Sequence, residues 1–171
     1  MESMKISRFQ KLFGVGPIGF ASDVVLLSLL WLLDWRLGHV AISSNPKPVM
    51  IPGLALIVFW MCWHIWCLRT ILQWWRDSRL CTEGPFRFVR HPMYAGVIWF
   101  LNPGIALVLN SWILLLCPFL MLVIGTALVR REETMMAEVF GEAYTRYAAR
   151  TGRLFPRSLG KNPRESASVS G

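Results

Sequence analysis

Polar side chains crowd the start of an apolar segment in the stretch GPFRFVRHPMYAG, residues 84–96. Pro92 can occupy the first turn of a helix, because its missing N–H would have no helical partner there. His91 and Tyr94 are three positions apart and therefore share one helix face. A guanidinium such as that of Arg90 can bind a carboxylate through two parallel hydrogen bonds, and an imidazole exchanges protons near neutral pH. These residues are candidates for binding and orienting a charged ligand.

A second polar segment, RREE at residues 130–133, follows the next apolar run. The dipeptide NS at residues 110–111 lies between the two runs and predicts a tight turn. After this turn, the second apolar run leads back to the end of the first run at which His91 lies. Glu132 and Glu133 are expected beside that histidine.

Apolar and aromatic residues recur at helical spacing beyond this segment, at Met136, Phe140, Tyr144 and Tyr147. The spacing predicts an amphipathic helix outside the membrane. Gly141 weakens or breaks that helix. An alternative interpretation is that these aromatic side chains only pack at the membrane interface, where tyrosine is common.

Four apolar stretches hold these polar segments in place, at residues 16–33, 50–68, 94–109 and 112–129. Each approaches the roughly 20 residues that a transmembrane helix needs. More than half of the 171 residues are hydrophobic, and nine are tryptophan. We therefore predict an all-α membrane protein with about four transmembrane helices and a cytoplasmic amphipathic C-terminal helix. We expect one domain over residues 1–160 and a disordered tail at 161–171.

The first stretch has an alternative interpretation as a cleaved signal peptide, since Lys5, Arg8 and Lys11 precede it. The break NPG at residues 102–104 either widens the hairpin or admits a polar group into the bundle.

Basic residues indicate the orientation. Of the eighteen Lys and Arg residues, only Arg36 and Lys47 lie on the side opposite to both termini. The positive-inside rule then places both termini and the polar segments in the cytoplasm. A net charge of +8 would suit nucleic acid, but no nucleic-acid motif is present and the arginines lie where topology requires them. We expect no nucleic-acid partner.

The cysteines and histidines do not predict a metal site. No cysteine pair has CxxC spacing, and His39, His64 and His91 have no partner at the spacing of a helix-borne zinc site. His64 lies within an apolar stretch, where a hydrogen-bonded histidine facing the bundle is the simpler interpretation and a functional one the alternative.

The two polar segments together resemble the isoprenylcysteine carboxyl methyltransferases and the related phospholipid methyltransferases. The resemblance covers residues 80–156 and consists of R-H-P-x-Y-x-G, then E-E, F-G and paired tyrosines in the same order. It implies a small, multi-pass membrane enzyme that uses S-adenosylmethionine. We expect it in a bacterial cytoplasmic membrane, with its active site on the cytoplasmic side.

The resemblance also implies roles for individual residues. Those expected to bind the cofactor are His91, Tyr94, Gly96, Glu132, Glu133, Tyr144 and Tyr147. From their own chemistry and position, we also expect Arg90, His91 and Arg153 to be catalytic residues. Arg90 and Arg153 adjoin the matched motifs, and a planar guanidinium suits a carboxylate of the cofactor or of the acceptor.

The methyl acceptor is expected to be an amphiphile that reaches the site from the lipid. The resemblance suggests the carboxylate of a prenylated cysteine or a similar lipid-like molecule, with an ethanolamine phospholipid as the alternative. A sterol-type membrane reductase with a nicotinamide cofactor is a second enzymatic hypothesis. A non-catalytic scaffold or transporter subunit, in which Asp23 and His64 are the functional polar groups, is a third. The sequence predicts no oligomeric state.

Overall fold

The computed structural model describes residues 16–76 and 79–157. The predicted tail at 161–171 and the three basic residues before the first helix lie outside these ranges. The described residues form five helices, which are α1 Gly16–Arg36, α2 Lys47–Arg76, α3 Pro92–Val108, α4 Cys117–Phe140 and α5 Glu142–Arg150. Short 3-10 turns at Gly84–Arg87 and Leu114–Leu116 precede α3 and α4. The predicted all-α fold is confirmed.

Three helical segments are long and apolar enough to cross a membrane: Gly16–Arg36, Lys47–Trp74 and Leu114–Phe140. Much of the apolar surface of α1 and α2 is exposed, as lipid-facing helices require. Helix α3 is also apolar but shorter. The protein is thus an integral membrane protein, while the count of four spans and their sidedness stay predictions.

Helix α2 extends beyond the stretch predicted for it, residues 50–68. The residues that follow contain no glycine or proline and include good helix formers, so the helix continues past the apolar segment. At the other end of the chain, Gly141 adopts a positive φ of 53° and separates α4 from α5. The predicted break at Gly141 is confirmed.

Helix α3 consists of three pieces. A turn of π-helix at Val97–Leu101 separates the α-helical pieces Pro92–Gly96 and Asn102–Val108. The N–H of Asn102 donates to the carbonyl of Val97, five residues earlier, which is the bond of a π turn. The break predicted at residues 102–104 therefore lies earlier in the chain, as this π turn at Val97–Leu101, and residues 102–104 are themselves α-helical.

Helices α2 and α3 approach each other closely at two glycines. A Cβ built on Gly53 would lie 2.9 Å from the carbonyl oxygen of Gly104, and one built on Gly104 would lie 2.8 Å from Ile57. Small residues allow such close packing between membrane helices.

The end of the bundle away from the polar segments is held by the loop between α1 and α2. Asn110 exchanges two hydrogen bonds with the backbone of Ser43, at 3.0 and 2.8 Å. Asp34 accepts a hydrogen bond from the backbone N–H of Val40 and contacts Nδ1 of His39 at 2.6 Å. Asn110 has a positive φ of 52°, a conformation that asparagine tolerates. The tight turn predicted at residues 110–111 is confirmed.

At the opposite end, the last described residues fold back along the start of α3. We call residues 151–157 the C-terminal strap. The N–H of Arg90 donates to the carbonyl of Gly152 at 2.7 Å, and that of His91 to the carbonyl of Arg153 at 3.1 Å. The indole of Trp99 donates to the carbonyl of Leu154 at 3.2 Å. The strap therefore fixes Arg153 beside the RHP motif.

Candidate active site

A buried carboxylate joins three segments at the strap end of the bundle. Arg90 donates from Nε to Oε1 of Glu133 at 2.9 Å, and Arg153 donates from Nε to Oε2 at 2.7 Å. Each guanidinium also places Nη2 within 2.7 Å of the same oxygen that its Nε contacts. Two positive groups stabilise the ionised form of Glu133. Both of its oxygens are occupied by protein donors.

Arg90 also holds the end of α5. Its Nη1 donates to the carbonyls of Ala148 and Thr151 at 2.6 and 2.7 Å. The last carbonyls of a helix have no partner within the helix, so a guanidinium there satisfies them and complements the helix dipole. The Arg90 side chain is only 10% exposed and is fully engaged by the protein. Its contacts are those of a residue that positions other groups.

His91 and Glu132 face each other without a close hydrogen bond. Nδ1 of His91 lies 3.6 Å from Oε2 of Glu132, and Nε2 lies 3.5 Å from Oε1 of Glu133. Both distances exceed those of normal hydrogen bonds. Oε2 of Glu132 and Nε2 of His91 are buried and have no hydrogen-bond partner within residues 16–76 and 79–157. Both atoms therefore have unused hydrogen-bonding capacity.

Two tyrosines complete this group. The ring of Tyr94 lies 6.2 Å from the ring of His91, so the predicted shared face is confirmed. The hydroxyls of Tyr94 and Tyr144 are buried and have no hydrogen-bond partner among the residues that the structure describes. Burial raises the pKa of the Tyr144 hydroxyl to about 12, and the negative charge of Glu133 adds to this rise. The Tyr144 hydroxyl therefore remains a donor at neutral pH.

Among the described residues, seven side chains have a buried polar atom without a hydrogen-bond partner; Trp60 and His64 of α2 and Asn102 of α3 are three of them. We call the other four the rim cluster. Its members are His91, Tyr94, Glu132 and Tyr144. Buried polar groups are nearly always hydrogen-bonded, and exceptions require an explanation such as a bound ligand. The rim cluster offers an acceptor at Glu132, donors at the two tyrosines and an imidazole that can play either part. A ligand with several polar groups would satisfy it.

The other predicted site residues have different surroundings. The Tyr147 hydroxyl donates to the carbonyl of Phe86 at 2.6 Å, and burial raises the pKa of that hydroxyl. Gly96 faces α2, where an added Cβ would lie 2.9 Å from Trp63 and 3.3 Å from Trp60. Its position lets two helices pack closely, and its predicted contact with a cofactor stays a prediction.

Two residues near the rim cluster were not predicted from sequence. Gly19 of α1 packs directly on Tyr94, and a Cβ there would overlap the tyrosine ring. Trp63 of α2 donates from its indole to the carbonyl of Pro92 at 2.8 Å, which fixes the first turn of α3. A glycine four residues before an aspartate in an apolar helix was the available signal for Gly19.

The chain is similar to known proteins over a range that includes most of the rim cluster. The family model described as phospholipid methyltransferase matches residues 48–143, more than half of the chain. This range includes the whole rim cluster except Tyr144. The chain is also similar to methanethiol S-methyltransferase from Pseudomonas deceptionensis, with 30% identity over 160 residues. That alignment covers 84% of this chain and 59% of the relative, so the chain spans about three fifths of the relative's length. No solved structure matches the chain.

Proposed function

Because the chain belongs to the phospholipid methyltransferase family, we propose that it is a membrane methyltransferase that uses S-adenosylmethionine as its methyl donor. The observation that carries the proposal is the rim cluster, whose four side chains have buried polar atoms with no hydrogen-bond partner in the part of the chain that the structure describes. S-Adenosylmethionine has an ammonium group, a carboxylate and ribose hydroxyls. These groups complement the carboxylate, hydroxyl and imidazole groups of the cluster.

The two adjacent glutamates have different roles in this proposal. Glu132 has an oxygen without a partner and would accept a hydrogen bond from an ammonium or hydroxyl group. Glu133 already accepts from Arg90 and Arg153 at both oxygens. Glu133 therefore acts by holding the strap and α5 against the start of α3. Arg90 and Arg153 were predicted to act on the substrate. Through Glu133 they also position the strap and α5.

Bound S-adenosylmethionine supplies an electrophilic methyl group on a sulfonium. The chain's part is to orient the two reactants and to exclude water. Tyr94 and Tyr144 present hydroxyls from α3 and α5, so they restrict the site from two directions. A carboxylate acceptor is already ionised at neutral pH and needs no base. An amine acceptor must lose a proton, for which His91 is the candidate base.

For the acceptor we propose an amphiphile with a carboxylate, such as a prenylated cysteine. The support is the position of Arg153, whose side chain is 43% exposed although its Nε and Nη2 face Glu133. Its outer side can meet a second carboxylate. An open apolar groove of about 620 Å³ lies along α1, with Ile124 of α4 on one side, and its other walls include Ile18, Val25 and Leu29. Its apolar lining suits a hydrocarbon chain.

A thiol is the second candidate acceptor. The relative aligned over 84% of this chain is by name a methyltransferase of methanethiol. A thiol at the site would lose its proton to a base or react as a thiolate, so His91 again has a role that a carboxylate acceptor would not require. The amine of a phospholipid is a third, which the description of the family favours.

One experiment separates these acceptors. The purified protein is incubated with methyl-labelled S-adenosylmethionine and, in parallel, a prenylated cysteine, phosphatidylethanolamine in bicelles, and a short alkanethiol. We expect one labelled product, identified by mass spectrometry, and its loss in Glu132→Gln. Arg87→Gln is the matched control, since Arg87 is exposed and its guanidinium lies over the ring of Phe88. If the folded protein binds no donor by calorimetry, the methyltransferase proposal is wrong.

A further inference from the structure

A polar pair lies in the apolar interior of the bundle, away from the rim cluster. Nδ2 of Asn102 donates to Oδ1 of Asp23 at 2.8 Å, and the two residues are 0% and 2% exposed. Sγ of Cys117 lies 3.9 Å from the same carboxylate oxygen. The pair therefore joins α1 to α3 at a point that α4 also touches. Neither the matched motifs nor the proposed reaction assigns it a role.

The π turn in α3 makes this pairing possible. In a regular α-helix, positions eight apart, such as Tyr94 and Asn102, point in directions about 80° apart. A π turn contains one additional residue and so removes about 100° of rotation, leaving the two positions about 20° apart. Tyr94 and Asn102 thus face the same neighbour, helix α1.

Helix α1 contacts Tyr94 and Asn102 through two residues on one of its faces. Gly19 and Asp23 are four positions apart and are both buried. Gly19 contacts the ring of Tyr94, and a Cβ at Gly19 would lie 3.1 Å from the tyrosine oxygen. Asp23 contacts Asn102 one turn further along. One face of α1 therefore connects the interior pair to a member of the rim cluster.

We infer that the hydrogen bond between Asp23 and Asn102 holds α1 against Tyr94 and thereby sets the affinity of the donor site, an inference that rests on the proposed methyltransferase function. In the membrane interior no water competes for either polar group, so the pair has a strong preference for one alignment of the two helices. Loss of the pair allows α1 to rotate or to move away. The wall behind Tyr94 then moves, and the tyrosine hydroxyl leaves its place. Asp23 is a positioning residue in this account.

The inference can be tested by measuring how tightly variants of α1 bind S-adenosylmethionine. Asp34, on the same helix, provides the control. Asp23→Leu should raise the dissociation constant for S-adenosylmethionine several-fold and raise its KM, while kcat changes little. Asp23→Asn keeps an acceptor oxygen for Asn102 and should restore most of the affinity. Asp34→Leu removes an equally buried aspartate from the far end of α1, where it contacts His39 and Val40. This control should lower stability without changing the dissociation constant.

Fluorine NMR tests the position of Tyr94 without any donor. The chain has three tyrosines, so labelling with 3-fluorotyrosine gives few signals, and Tyr94→Phe identifies one of them. Asp23→Leu should shift the Tyr94 signal, and Asp34→Leu should leave it in place. Asn102→Leu should shift it too, because it removes the other half of the hydrogen bond. This variant serves if Asp23→Leu does not fold.

The outcomes are distinct. A wild-type protein that binds no donor overturns the proposed function, and the fluorine signal still decides whether Asp23 positions Tyr94. An unchanged Tyr94 signal in folded Asp23→Leu overturns the inference. If Asp23→Leu does not fold, an unchanged signal in Asn102→Leu overturns it. Equal loss of donor affinity in Asp23→Leu and Asp34→Leu also overturns it, because the effect would then be general destabilisation.

Discussion

Nε of Arg90 donates to Oε1 of Glu133 at 2.9 Å across 43 residues of sequence, and the two side chains are only 10% and 12% exposed. The pair connects the loop before α3 to the last turns of α4. Arg153 adds the C-terminal strap through the other carboxylate oxygen. Arg90, Glu133 and Arg153 therefore hold three segments together, whereas Glu132 has a buried oxygen without a partner among the described residues.

The two glutamates should respond differently to the same substitution. Glu133→Gln leaves two guanidiniums without a counter-charge, and we expect it to lower the free energy of unfolding by about 3 kcal/mol, as for other broken buried ion pairs. Glu132→Gln replaces a buried carboxyl whose Oε2 has no hydrogen-bond partner, so stability should stay the same or rise. The same change should weaken donor binding about ten- to hundredfold, the loss expected of one charge-assisted hydrogen bond.

Chemical denaturation in detergent and calorimetry measure these two quantities. If Glu133→Gln has full stability and Glu132→Gln binds the donor normally, the division of roles between the glutamates is wrong.

Substitution by lysine should destabilise the fold more at Arg90 than at Arg153. Arg90→Lys loses the fork that reaches Glu133 and two carbonyls at once, so we expect a loss of about 2 to 4 kcal/mol in unfolding free energy. Arg153 is 43% exposed, and Arg153→Lys should cost less than about 1 kcal/mol. Methyl transfer should fall several-fold in both. Full activity in both variants would mean that neither arginine acts in methyl transfer, and would leave them their contacts within the fold and their part in membrane orientation.

Much of the site followed from local spacing. His91 and Tyr94 lie on one helix face because they are three apart, and the short turn at residues 110–111 returns Glu132 and Glu133 to the same end. These relationships depend on helix geometry and on the length of a membrane span. Both can be worked out from the spacing of residues along the chain. The placement of Pro92 at the start of α3 followed in the same way.

Other features depend on contacts between distant segments. The strap has no helical or strand periodicity, so nothing in its sequence indicated that its backbone would pair with Arg90 and His91. Asp23 and Asn102 are 79 positions apart, and their pairing needs a π turn that no sequence pattern specifies. The motif suggested that Gly96 contacts a cofactor. In the structure Gly96 packs against Trp63 of α2, a contact between helices that the sequence does not indicate.

Alkaline pH should reveal the burial of Tyr144. Its pKa is raised by burial, and further by the charge of Glu133, from about 10 to about 12. The fold thus favours the protonated hydroxyl, so this stabilisation is complete below about pH 10 and is lost as the pH rises to about 12. We expect the free energy of unfolding to fall more steeply across this window in the wild type than in Tyr144→Phe.

The difference in tyrosinate absorbance between the wild type and Tyr144→Phe gives the titration of Tyr144 itself. A midpoint near pH 10 would mean that the hydroxyl is in contact with water and would remove Tyr144 from the rim cluster.

Cysteine labelling should place the rim and the loop between α1 and α2 on opposite faces of the membrane. Arg87→Cys and Ser44→Cys introduce thiols at exposed positions, near the RHP motif and near the Ser43–Asn110 contact respectively. Cys62 and Cys81 are replaced by alanine in this background, since both are at least partly accessible. Burial, and to a lesser extent the charge of Glu83, raises the pKa of the Cys81 thiol to about 11. Native Cys81 would therefore react slowly at neutral pH and would be a poor reporter.

In intact cells, an impermeant maleimide should label Ser44→Cys and should reach Arg87→Cys only after the membrane is opened. This result follows from the basic residues concentrated at the rim, which the positive-inside rule assigns to the cytoplasm. Inverted vesicles are the control and should reverse the pattern. Labelling of both thiols from the same face would mean that α2 does not cross the membrane, while labelling of Arg87→Cys alone in intact cells would place the rim cluster outside the cell.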